Sequence, residues 1–249
     1  MKKAKTPLVA AVDRAISILE AFREGDTVLS LHDLSNRTGL YKSTLSRLAE
    51  TLLLRGYLAK SEHGEYHVGP AALRLGSLYQ AAIKPPDVIM AVLRELVATT
   101  KESAGFHVRF GEKRLCLYRV DSPQPLRDHF KPGDTLSMER GAGSGILKAF
   151  ARPYSSRYTE IRKNLFVTTA GETSHDMSGA ASPVFDHAGE IAGALTLSGP
   201  TTRFGRGALR RFEVAVLDAA REITEGLGGS GKCFQERLER LTAVKRRVR

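Results

Sequence analysis

Two cysteines, Cys116 and Cys233, in 249 residues are too few for a disulfide framework. No apolar run approaches the roughly 20 residues needed to span a bilayer, and no charged-then-apolar leader opens the chain, so a cytoplasmic location is expected. The seven histidines and two cysteines show no close metal-ligand spacing, and neither metal nor cofactor is implied. Cys116, in an apolar run, reads as a small buried hydrophobe. Nucleophile motifs are missing too. Ser144 lies in Gly-Ala-Gly-Ser-Gly, but Ala142 holds the place of the first glycine of a G-x-S-x-G elbow. Residues 226–231 satisfy G-x-G-x-x-G, yet they follow a helical pattern rather than a strand and read as a flexible connector. An enzyme is therefore not expected. Acid is also short, with 27 Asp and Glu against 38 Lys and Arg, a net charge of +11. The excess sits at the ends: 12 against 8 in residues 1–84 and 7 against 2 in residues 230–249. A polyanionic partner fits this distribution, since each cation near a phosphate releases condensed counterions. A solvated surface is the alternative for any single charge.

What is present starts with residues 40–54, LYKSTLSRLAETLLL. Leu45, Leu48 and Leu52 recur at helical spacing and are expected to face a core, while Lys42, Ser43, Ser46 and Arg47 project from the other side. Upstream, Ser30 is placed to cap a short helix, LHDLSNR, with Asp33 favouring its positive end, and Thr38-Gly39 ends that helix in a tight turn. Two helices joined through a glycine turn make a helix-turn-helix. Downstream, Gly56 stops the second helix, and two short β-rich runs around Glu62 to Gly64 predict a wing. Val12, Ala15, Ile16, Leu19 and Phe22 predict the extra helix that closes so small a core. Residues 6–70 thus read as a winged helix-turn-helix.

Further on, Leu73, Leu75, Leu78 and Ala82 predict a linker helix over residues 71–86, stopped at Pro85-Pro86. Asp87 is expected to cap a helix over residues 88–100. FHVRF and RLCLYRV read as strands around Gly111, followed by LRDHF, a GAGSGILKAF helix, GAASPVF, IAGALTLS and a long helix from about Gly205 to Glu225. Strands in hairpins with helices at either end predict an α+β domain on an antiparallel sheet over residues 87–228. Residues 229–249 read as a helix with Phe234, Leu238 and Leu241 on one side and a basic end, suited to phosphates or a partner subunit, or else as a partly disordered tail.

VDRAISILEAF, SLHDLSNRTGLYKSTLSRLAETL, GYL and YHVGPAALRLG, in this order, resemble the amino-terminal half of the IclR family of bacterial transcriptional regulators. VDSPQPLR, GAGSGILKAF and SPVFDHAGEIAGALTLSGP followed by Arg203-Phe204 resemble successive blocks of that family's effector-binding domain, so nearly the whole chain is covered. The resemblance implies a GAF-like second domain with a small-molecule pocket, and a repressor or activator of a catabolic operon. It places effector contacts at Gly141 and Ala142, where helix amides could receive a carboxylate, at Gly179, where the family often has cysteine, and at Thr196 and Ser198 on the final strand. Two departures stand out: residues 151–173 are shorter than the family usually shows, and the acidic cluster before the SPVFD-type strand is reduced to Glu172. A more open pocket, or a ligand of different size, is expected. His107, Arg109, Arg119 and Arg127 are further cations for an anionic effector, or else surface and strand-edge charges.

The expected DNA residues are Lys42, Ser43, Thr44, Ser46 and Arg47, with Lys60 and His63 on the wing and Lys2, Lys3 and Lys5 on the leading arm. One recognition helix reads few base pairs, so a homodimer or tetramer on a near-palindromic operator is expected. The effector is expected to be a small organic acid or aromatic metabolite. Two other classes compete: a constitutive DNA-binding protein whose second domain only oligomerises, and an enzyme carrying a fused DNA module.

Overall fold

The computed structural model describes residues 8–23, 25–82 and 86–247. The chain divides into two compact units, with the boundary after Ala82. The first contains helices α1 (Ala10–Glu20), α2 (Leu31–Thr38) and α3 (Lys42–Leu54), the hairpin β1 (Leu58–Lys60) and β2 (Tyr66–Val68), and helix α4 (Pro70–Ala82).

Local sequence sets the α2–α3 turn. The Asp33 amide donates to Ser30 Oγ at 3.1 Å and the Ser30 amide donates to Asp33 Oδ2 at 3.0 Å, a reciprocal cap. Gly39, at φ 69°, closes α2 in the left-handed region where a Cβ would be strained. Ile18, Leu34, Leu45, Ala49, Leu52 and Leu58 fill the core below. The wing is tied to the helices by Leu29 and Tyr66, which exchange two 2.8 Å backbone hydrogen bonds.

The stripe expected to close this core is only partly used. Leu19 and Phe22 pack against it, but Val12 and Ile16 are 55% and 48% exposed. Ile18 and Ala21, offset from the stripe, are the buried residues of the first helical segment. Helix α1 is apolar on two faces, and helical spacing alone does not say which one packing selects. Leu73, Leu75 and Leu78 of α4 are likewise exposed.

The second unit begins with α5 (Pro86–Thr100), so Asp87 lies in its first turn rather than in the capping position. Proline fixes the helical φ and lacks the amide that a first helical residue leaves unused, which suits it to that start. Strands β3 (Ser103–Phe110), β4 (Lys113–Val120), β5 (Thr135–Ser137), β6 (Val167–Ala170), β7 (Met177–Phe185) and β8 (Ile191–Pro200) form one antiparallel sheet in the order β5-β4-β3-β8-β7-β6. Helices α6 (Ala142–Ala149), α7 (Thr159–Asn164), α8 (Arg206–Gly226) and α9 (Lys232–Arg247) complete the unit.

Strand alternation sorts the side chains into two layers. Phe106, Ala180, Val184, Leu195 and Leu197 join α5 and α8 in the larger core, while Ala181 and Ala194 meet Ala142, Ile146 and Leu147 of α6 on the other side. Arg203 grips the buried Glu102 with two bonds, of 2.5 and 2.7 Å. Beside it, Phe204 packs on Phe212 with ring centroids 5.0 Å apart.

Three expectations change here. The last segment is not a loose tail: Phe234 is fully buried, its ring centroid 5.9 Å from that of Phe185, and Arg237 pairs with Glu213 at 2.6 Å, while Leu238 and Leu241 are half-buried. Residues 226–231 form a fixed turn rather than a flexible connector, with the Gly229 amide bonded to Thr224 O at 2.8 Å. LRDHF forms no strand; its Asp128 instead pairs with Arg119 and accepts from Ser198. The short 151–173 segment still supplies α7 and the edge strand β6.

Candidate functional site

On α3 the two-sided pattern becomes geometry. Leu45 and Ala49 are fully buried, whereas Lys42, Ser43 and Arg47 are exposed and Thr44 and Ser46 half-buried. No side chain caps the helix start, so its first-turn amides are available to a phosphate. Tyr41, 85% exposed just before α3, is an addition the sequence did not single out. Lys60 and His63 are exposed on the wing, with Lys60 Nζ 5.1 Å from the Tyr66 ring centroid. Lys2, Lys3 and Lys5 lie outside the described residues. Arg37, by contrast, is structural: it pairs with Asp26 and donates to Ala21 O at 3.0 Å.

The second unit holds a cavity of about 590 Å³ on the α6 side of its sheet. All five expected effector positions line it: Gly141 and Ala142 at the start of α6, Gly179 on β7, and Thr196 and Ser198 on β8. Two of the hydroxyls are already committed, Thr196 Oγ1 to Gly105 O at 3.1 Å and Ser198 Oγ to Asp128 Oδ2 at 2.7 Å. Leu126, Phe130 and Met177 supply apolar wall. Among the expected cations, Arg109 lies outside the lining and bonds Gly111 O at 3.0 Å. Arg119 lines the cavity but is neutralised by Asp128 and by Asp121, the latter at 2.7 Å. Arg127 lies 3.8 Å from Asp121. The Gly141 amide donates to Glu172 Oε2 at 2.8 Å, which gives the acid kept from the family's cluster a place.

Among the described residues, no group of three His, Cys, Asp or Glu is placed to hold a metal, and no helix is long and apolar enough to cross a membrane. The model of the IclR helix-turn-helix domain matches residues 11–62, and that of the bacterial transcriptional regulator IclR C-terminal domain matches residues 155–225. The chain belongs to the IclR family. The transcriptional regulator BhcR of Paracoccus denitrificans is 29% identical over 245 residues, 88% of each chain. The solved Thermotoga maritima IclR, at 17% identity and TM-score 0.75, spans 89% of this chain and 100% of its own. An IclR homolog of Microbacterium hydrocarbonoxydans, complexed with 4-hydroxybenzoate, matches at 18% identity and TM-score 0.72, spanning 87% of this chain and 98% of its own.

This IclR-family regulator carries in its cavity one side chain that sequence reading missed. Arg114 of β4 lines the cavity while only 6% exposed, and its Nε has no hydrogen-bond partner. In the sequence it stands between Lys113 and Leu115 like any edge arginine; a β-bulge between Phe106 and His107 realigns the β3–β4 register, which no local pattern announces. His107 is also buried against the cavity with Nδ1 unpartnered. Burial, with Arg114 and Arg119 nearby, holds its imidazole well below the ordinary value of 6.5, so it is neutral in the folded chain.

That depression fixes a sign. Below pH 6.5 the unfolded chain binds the His107 proton and the folded chain does not, so this group makes stability fall as pH drops, by about 1.4 kcal/mol per unit. Above pH 6.5 its contribution is flat. The expected result is a thermal midpoint that declines between pH 7 and 5.5 and declines less in His107→Gln; equal slopes in both proteins would refute it.

Proposed function

We propose that this IclR-family regulator reads a near-palindromic operator as a dimer or a tetramer of dimers, and that a small organic acid or aromatic metabolite in the second unit's cavity sets its DNA affinity. The observation that carries the DNA half is the exposed face of Lys42, Ser43 and Arg47 on a helix whose opposite side is core. Thr44, Ser46, Lys60 and His63 extend the same contact. Residues 6–70 serve as the DNA module, 71–86 as linker, 87–228 as effector domain and 229–249 as its terminal helix, in the cytoplasm. The exposed Val12, Ile16, Leu73 and Leu78 are the kind of apolar surface that a second copy covers. Support for the effector half is the partly apolar cavity and the aromatic acid bound by the Microbacterium homolog. A ligand shifts DNA affinity only by its differential affinity for two conformations.

The test is binding to the chain's own upstream intergenic DNA against random duplex across a salt series, since basic proteins bind any DNA at low salt. Preference that persists at physiological salt is expected, and 4-hydroxybenzoate is the first effector to titrate into the complex. Equal binding to both duplexes at every salt would refute the operator reading. Arg47→Ala should weaken operator binding by about 1–3 kcal/mol if the guanidinium reads a base. An equal loss on random DNA would assign Arg47 to phosphate instead.

A further inference from the structure

Three features converge at the start of α6. First, the Arg114 guanidinium is pressed against the helix's opening turn: Nη2 lies 3.2 Å from where a Cβ on Gly141 would stand, and Nη1 3.1 Å from where one on Gly143 would stand. Glycine at both positions makes room for it. Secondly, this cation sits at the positive end of a helix dipole. It is 6% exposed, its Nε has no partner, and it forms no ion pair with any described carboxylate. Burial accordingly pulls its guanidinium below the ordinary arginine value. Thirdly, α6 starts at Ala142 with no side-chain cap, and first-turn amides have no intrahelical acceptor. The Gly141 amide is taken by Glu172, which leaves those of Ala142 and Gly143, in the turn the guanidinium touches, without an intrahelical acceptor.

Each of these is unfavourable alone, because a buried charge needs an opposite one. A single anion set between the guanidinium and the helix start relieves all of them. We propose that Arg114 is the charge anchor of the cavity: a monocarboxylate pairs with its guanidinium over the first turn of α6, and the uncharged body of the ligand lies along Leu126, Phe130 and Met177. The charge count selects a monoanion. Arg119 is paired with Asp128 and Asp121, and Arg127 faces Asp121, so Arg114 is the lining arginine without an ion pair to a described carboxylate. Asp128 and Asp176 in the lining and Glu172 beside Gly141 oppose a second negative charge. Neutral His107 adds no cation. The inference rests on the effector reading above for its biological meaning, but the anion site stands or falls separately.

The experiment uses the full chain, with benzoate and acetate as probes, benzamide and acetamide as their neutral counterparts, and inorganic phosphate at matched ionic strength. Benzoate at tens of its dissociation constant is expected to raise the thermal midpoint by roughly 5 °C, with benzamide giving no rise. Arg114→Met should melt higher than the parent without ligand, because it removes an unpaired buried cation, and should gain nothing from benzoate. Arg114→Lys, which keeps the charge but not the fork, should retain a smaller benzoate shift. A lower midpoint for unliganded Arg114→Met, acid and amide shifts that are alike, or phosphate stabilising as well as the carboxylates, would each overturn the proposal. Carboxylates bound through Arg114 with no change in operator affinity would confirm the anchor and sink the effector reading. An operator-modulating ligand unaffected by Arg114→Met would do the reverse.

Discussion

Leu45→Ala is expected to cost about 2–5 kcal/mol and, with it, operator binding. Leu45 is fully buried on the inner side of α3, with Ile18, Leu34 and Ala49 in the same cluster. The expected cost is large for a simple reason of size: a small unit buries a smaller share of its surface, so one lost leucine is a large fraction of its net stability. The recognition face carries Lys42, Ser43 and Arg47 on the same helix, so loosening α3 blurs their positions before the helix itself melts. Chemical denaturation followed by a signal from the first unit, together with operator titration, reads both effects. Undiminished stability would mean that the cluster around Leu45 is not the core of the DNA module.

Arg203→Ala is expected to cost the second unit about 3–5 kcal/mol and to be more damaging than Glu102→Gln. The asymmetry follows from exposure: the Glu102 side chain is 3% exposed, that of Arg203 30%. Without Arg203, a carboxylate is left inside with no cation. Without the Glu102 charge, the arginine turns to water and keeps its 3.0 Å bond to Leu126 O. Since Leu126 lines the cavity, the arginine variant should also weaken ligand binding, which the glutamine variant should not. Paired melting curves decide it, and an inverted order would refute the account. A side chain at Gly199 should act like loss of the arginine, because its Cβ would stand 2.1 Å from Glu102 Oε2.

Where the chain's chemistry is local, the sequence was readable. Ser30 and Asp33 form their cap within four residues, and Gly39 supplies its own left-handed turn, so the helix-turn-helix could be drawn from spacing alone. The family blocks also carried Gly141, Ala142, Gly179, Thr196 and Ser198 to one cavity from three separate elements, something periodicity alone could not have done. Illegible were matters decided by distant partners. Arg114 and Arg119 both stand on β4, five residues apart, yet Arg119 is paired with Asp128 across a loop while Arg114 forms no ion pair with a described carboxylate and has an unpartnered Nε. Val12 and Ile16 have the spacing of a core stripe and remain outside it. Phe234 reads as one face of a tail helix and proves to be a fully buried part of the core, because Phe185, 49 residues earlier, meets it. Short runs such as Thr135–Ser137 and Val167–Ala170 carry too few residues for a strand pattern to register.

Those two short runs are also the borders of the six-stranded sheet. An open ladder invites another chain to extend it, and proteins commonly blunt that invitation by keeping the outermost strands brief. Here the borders are three and four residues long, too little rail for a neighbouring copy to run along. If copies of this protein associate through their second units, the joint must be made by helices and loops, and the sheet of each copy stays its own.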